Sequence, residues 1–159
     1  MKAIKMLAAI VCAALTFGFV GCTPDNEDLI IGTWNVNSIT TTISGSPNAE
    51  ENGTFTQQVP EGYTMTFTFN KDNTGQASES YQGQGETFPF TYTIVDNTIS
   101  LTIMEGSHGY TSMLNIDKLD RKELIITLTE KTYEEYEDEN GEWVEYEYNE
   151  SLTYNMTKA

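Results

Sequence analysis

From Leu29 onward apolar residues recur at every second position, and that alternation constrains the fold more than any other feature of the chain. Tyr63, Met65, Phe67 and Phe69 are separated by Thr64, Thr66 and Thr68; Phe88, Phe90, Tyr92 and Ile94 alternate likewise. Ile99, Leu101 and Ile103 follow the same rule, as do Leu124, Ile126 and Leu128, and Leu152, Tyr154 and Met156. A period of two places one row of side chains on each face of a strand, so every segment presents one apolar face. Helical spacing is almost absent. Eight strands are expected, at 31–43, 62–70, 74–81, 88–95, 98–104, 110–117, 123–137 and 143–156. Consecutive antiparallel strands with one apolar face each must curl to bury it. The expected fold class is all-β, an eight-stranded antiparallel up-and-down barrel or a strongly curved meander.

Two turns fix register. With Asp96-Asn97 as a two-residue turn, Ile94 faces Ile99, Tyr92 faces Leu101 and Phe90 faces Ile103. At Glu139-Asn140-Gly141 a two-residue turn would set Leu128 against Thr153 and mix the two faces. A three-residue loop with Gly141 left-handed sets Leu128 against Leu152, Ile126 against Tyr154 and Leu124 against Met156, and is preferred. The stretch from Gly45 to Gly62 shows no strand pattern and reads as a long loop that either covers a barrel mouth or stays without order.

The N-terminus addresses location. Residues 1–21 have a basic start (Lys2, Lys5), an apolar run too short to span a bilayer, and a small residue before the cut. Phe19-Val20-Gly21-Cys22 resembles a bacterial lipobox, which implies cleavage before Cys22 and lipidation of its thiol and new amino group. Several acyl chains anchor a protein firmly, since each buried methylene contributes about 0.8 kcal/mol. Residues 22–29 then form the lipidated Cys and an acidic tether, and 30–159 the β domain. The acids after Cys22 resemble the surface-export stretch of Bacteroides-type lipoproteins, or are a plain polar linker. The expected location is the outer membrane, lipid-anchored, with the cell surface as one of its two possible faces.

Processing removes Cys12 and consumes Cys22, leaving no thiol for catalysis, disulfide or metal binding. It also removes Lys2 and Lys5, taking the chain from a net charge of −16 to −18. Nucleic acid is a poor partner for such a field. The single His108 sits between glycines and offers no supported triad or zinc site. The densest run of acids, 130–150, holds ten of the 24 carboxylates against Lys131. That spacing suits a solvated face better than a tuned catalytic pair, and it lacks EF-hand spacing. No enzyme activity, catalytic residue, metal or cofactor is expected.

Several segments together are similar to the lipocalin-like domains of Bacteroides-group lipoproteins. Ile31-Gly32-Thr33-Trp34 resembles the Gly-x-Trp that opens a first lipocalin strand, where Trp plugs one barrel end. Phe67 to Gly75 resembles their aromatic strand, Asp-rich turn and Thr-Gly. The hairpin Phe90–Ile103 and the segment Leu119–Leu128 complete the likeness. It implies a lipocalin-like barrel more than an activity.

Within such a barrel Trp34, Tyr63, Phe67, Phe69, Phe88, Phe90 and Tyr92 point inward, either as a packed core or as the lining of a pocket for a small apolar ligand. The last hairpin is long: Leu124 to Tyr136 spans about 44 Å, so its outer half should project. Tyr136, Trp143, Tyr146 and Tyr148 there form a candidate surface for a protein or glycan partner, or the acids serve to protect a free edge. A ligand-binding, membrane-anchored protein is the leading expectation, and an interaction module working through hairpin 130–150 the alternative.

Overall fold

The computed structural model describes residues 25–105, 108–137 and 141–159, excepting the side chains of Glu105, His108, Tyr136 and Glu137. The expected export segment 1–21 and Cys22 lie outside the described residues. A short helix, α1 (Asn26–Ile30), precedes nine strands: β1 (Gly32–Ser44), β2 (Gly53–Gln58), β3 (Tyr63–Phe69), β4 (Thr74–Tyr81) and β5 (Gln84–Val95), then β6 (Thr98–Glu105), β7 (His108–Leu119), β8 (Glu123–Glu137) and β9 (Trp143–Lys158). β1 and β3 to β9 pair in chain order, and β9 returns to β1 from Trp34↔Lys158 to Ser44↔Asn149. The result is a closed eight-stranded antiparallel barrel with β2 as an added edge strand.

Both expected registers are present. Phe90, Tyr92 and Ile94 face Ile103, Leu101 and Ile99, and Leu124, Ile126 and Leu128 face Met156, Tyr154 and Leu152. Asp96 takes a positive φ of 54°, as the two-residue turn requires, and Gly141 has φ 80°. Small departures from regular pairing at Asn37 in β1 and Asp117 in β7 are bulges that bend strands where the wall must close.

Three expectations need correction. The connection 45–62 is not structureless: β2 occupies Gly53–Gln58 and pairs with Ser38–Ile43. Its residues are nearly all exposed, with Phe55 alone among polar neighbours, so it carries no apolar rhythm that a sequence could show. The fifth strand also begins four residues earlier than expected. Gln84 and Gly85 pair with Tyr81 and Ser80 across a tight turn in which Gln82 and Gly83 both have positive φ. Residues 26–29, expected within the tether, form part of α1. That helix is docked, with Asn26 Nδ2 donating to the Asp96 carbonyl at 2.9 Å.

The register divides the barrel into two halves. At the lower end β1 pairs with β3 only through Gly32–Asn35, and β7 pairs with β8 only as far as Leu114↔Leu128. Below those points the wall is continuous; above them it parts into two leaves, β2–β1–β9–β8 and β3–β4–β5–β6–β7. The lower half is filled. Trp34, Phe69, Ile99, Leu124, Ile126 and Met156 are almost wholly buried, and Phe67, Phe90 and Tyr92 complete the interior. Phe69 contacts Phe90 and Tyr92 with ring centroids 5.5 and 5.1 Å apart in tilted and edge-on arrangements, the geometry aromatic quadrupoles favour.

Trp34 closes the lower end. Its indole N–H donates to the Ile30 carbonyl at 2.7 Å, and Lys158 Nζ lies 4.8 Å from its ring centroid while donating to the Leu29 carbonyl. Outside, threonine rows link the strands by hydroxyl pairs such as Thr33–Thr68, Thr102–Thr111 and Thr127–Thr153, at 2.8 to 3.0 Å. Cross-strand pairs of this kind contribute roughly 0.2–1 kcal/mol each.

Candidate functional site

Upper-half side chains that share the inward face are a different population from those below. By alternation and register that face carries Ile39 and Thr41 of β1, Phe55 of β2, Met65 and Tyr63 of β3, and Tyr81 of β4. The opposite wall adds Phe88 of β5, then Ile103 of β6 and Tyr110 of β7, which face each other, and Leu128 and Leu152. Four of these are large and open to solvent although they face inward: Phe55, Tyr81, Phe88 at 41% exposure and Tyr110 at 61%. A side chain with an apolar body on a concave face, left uncovered, is the ordinary lining of a binding mouth.

The seven expected cavity residues therefore separate. Trp34, Phe67, Phe69, Phe90 and Tyr92 are packed against one another and fill the lower barrel. Phe88 stands at the open rim, and Tyr63 is half-buried between two clefts. One cleft, of about 270 Å³, lies where β3 splays from β1 and is lined by Ile39, Gln57, Val59, Pro60, Tyr63 and Met65. Its three aliphatic walls, Ile39, Val59 and Met65, continue the core. The other, of about 330 Å³, lies at the β4–β5 tip among Glu79, Tyr81 and Glu86. Tyr63 donates its hydroxyl to the Glu79 carboxylate between them, and that hydrogen bond raises the tyrosine's pKa.

The mouth residues Ile39, Tyr81 and Tyr110 were not singled out from sequence; parity within the expected strands places Tyr81 and Tyr110 inward, whereas Ile39 turns inward only through the bulge at Asn37. Two apolar residues of the 45–62 connection behave differently. Val59 packs against the core, its backbone N–H donating to the Asn37 carbonyl at 2.9 Å, whereas Phe55 remains exposed on the inward side of β2.

The acidic hairpin also divides by face. Beyond Asn149, which still pairs with Ser44 of β1, only β8 and β9 continue, so the projecting part is Trp143–Tyr148 with its partners in β8. Trp143 is 69% exposed and shares the outer face with exposed Tyr133. Tyr146 and Tyr148 stack on the other face, 5.8 Å apart, and both donate to Glu134 at 2.7 and 3.0 Å. The hydrogen bond to Glu134 pushes the Tyr146 phenol up to about 12.

Tyr148 does not belong to a partner surface: it is only 8% exposed. The turn at 45–52 lies against it, with Gly45 set against the Tyr148 backbone. Buried Ser46 is tied there by bonds to Asn52 and Glu51. Tyr136 contributes a backbone pairing with Val144, and its side chain lies outside the described residues. Among the described residues no group of three or more acidic, His or Cys side chains is placed to hold a metal, and no helix is long and apolar enough to cross a membrane.

The family to which the chain is similar agrees with this architecture. The sequence pattern of the lipocalin-like domain matches residues 30–126, from the helix end through the first strands of the barrel to Ile126 in β8. A solved structure of a lipocalin-like protein from Bacteroides uniformis ATCC 8492 superposes with a TM-score of 0.48 at 11% identity, covering 82% of this chain and 98% of that one. No curated protein matches the sequence. The domain pattern runs through more than half of the chain, and the chain belongs to the lipocalin-like domain family.

Proposed function

We propose that this chain is a non-catalytic envelope lipoprotein that takes a small apolar molecule at the open half of its barrel. The observation that carries the reading is the set of exposed aromatics facing inward at the mouth: Phe55, Tyr81, Phe88 and Tyr110. Large apolar groups left uncovered on a concave face lose the roughly 25 cal/mol per Å² that covering them would return. A ligand seated there supplies that cover. The neighbouring cleft of about 270 Å³ suits a slender chain or small ring rather than a bulky cofactor.

Anchoring rests on Phe19-Val20-Gly21-Cys22, with Cys22 as the lipidated residue and the outer membrane as the destination. Labelled palmitate fed to the expressing cell should enter the wild-type chain and be lost from Cys22→Ser. Equal labelling of both would remove the anchor from the reading. For the ligand, titration with a fluorescent fatty acid should saturate near one equivalent. A signal that only rises linearly with probe would count against a pocket.

A second reading concerns the outer face of hairpin 130–150 as a surface for a partner protein or glycan. It is favoured by Trp143 and Tyr133, which are exposed on the outer face, away from the mouth, among carboxylates. Aromatics of this kind are enriched where partners bind.

A further inference from the structure

The leaf β2–β1–β9–β8 ends in two free edges, and they are built differently. β2 is six residues long and carries no charged side chain. β8 runs nine residues beyond its last partner in β7, from Thr129 to Glu137, and among the described residues no strand pairs with that side of it. A typical strand is 5–6 residues. The edge therefore offers backbone N–H and C=O groups over more than an ordinary strand length.

Its side chains select what can pair there. Glu130 and Glu135 are exposed, Glu134 faces the same side as Glu130, and Lys131 is already held by Glu147 at 2.7 Å. A second copy of the chain would bring glutamates against glutamates, which is destabilising across a strand pair, and the chain's net charge of −16 opposes it further. A cationic strand meets the opposite condition. Trp143 and Tyr133 on the adjoining outer face add ring surfaces over which a Lys or Arg head group is attracted.

We propose that the edge of β8 from Thr129 to Glu137 accepts an extended Lys/Arg-rich polypeptide segment as an added strand. The inference rests on the reading of the hairpin as a partner surface and deepens it: main-chain hydrogen bonds hold the segment, and Glu130, Glu134 and Glu135 choose its charge. The matched family pattern covers 30–126, and the free edge of β8 from Thr129 lies after it.

The test uses the full chain in detergent and a labelled nine-residue lysine peptide, which when extended presents charge on both faces and so can meet Glu130 on one and Glu135 on the other. Saturable one-to-one binding is expected, weakened about tenfold in E130K/E135K, as two reversed cross-strand charge pairs imply. Peptides N-methylated at every second residue, in each of the two frames, keep the charge but lose the donors of one edge. One of the two frames should lose at least tenfold. Equal binding of both methylated peptides overturns strand addition; if that binding still falls in W143S/Y133S, the hairpin survives as a partner surface. Absence of peptide binding, with Trp143-dependent retention on immobilised polysaccharide, overturns the proposal in favour of a glycan. Absence of both removes the hairpin reading as well.

Discussion

The lower and upper halves of the barrel are built from the same alternating strands, yet they have opposite fates. Below, where β3 and β7 keep their pairing with β1 and β8, six apolar strand side chains are almost wholly shielded from water. Above, where that pairing ends, residues of the same type and parity stand open. The difference is one of wall closure, not of composition. Alternation alone decides which way a side chain faces; whether it is covered depends on whether the strands carrying it still meet their neighbours.

The strongest way to break this contrast is to remove volume from below. Trp34→Ala deletes the lower plug together with its hydrogen bond to Ile30 and its contact with Lys158. A loss of about 3–5 kcal/mol is expected in chemical denaturation, the range for a buried Trp or Phe truncated to Ala. A loss under about 1 kcal/mol would mean that the lower half is not the core.

Adding volume below is the next lever. A Cβ on Gly75 would run into the Phe90 ring and the Thr68 carbonyl, so Gly75→Ala should destabilise by about 1–3 kcal/mol through overpacking. At the far hairpin, Trp143→Ser should shift stability by no more than about 0.5 kcal/mol, because the indole is mostly in water. Unfolding by that substitution would contradict a projecting hairpin. Tyr146 is different, since it stacks on Tyr148 and donates to Glu134.

The smallest effect lies in the pH dependence of that contact. The folded Tyr146 phenol titrates near 12, above its ordinary value of 10.0, because ionisation would break its bond to Glu134. Its contribution is therefore complete below pH 10 and lost as pH rises toward 12. Spectrophotometric titration of Tyr146→Phe should lack one late-ionising phenol; an unchanged upper limb would contradict the pair.

Much of the lower half was legible in the sequence. Phe90 to Ile94 and Leu124 to Leu128 announce both parity and register, because a one-residue slip would put every apolar partner on the wrong face. β2 was not, since Gly53–Gln58 is an edge strand whose side chains are nearly all exposed and owe nothing to a core. Nor was the docking of α1, which depends on Asn26 meeting Asp96 seventy residues away. At the candidate site, sequence gave the inward direction of Phe88 but not its exposure, and it marked Tyr148 for a surface from which the turn at 45–52 removes it.

The central claim is that inward-facing aromatics of the open half are the binding surface. Fluorescent fatty-acid titration of two variant pairs tests it most directly. F88D/Y110D alters the inward face, and V95D/M113D alters side chains of 69% and 57% exposure that alternation places outside. The account predicts at least a tenfold loss of affinity for the first pair, with both folded, and none for the second. Equal affinities in the two pairs would contradict it.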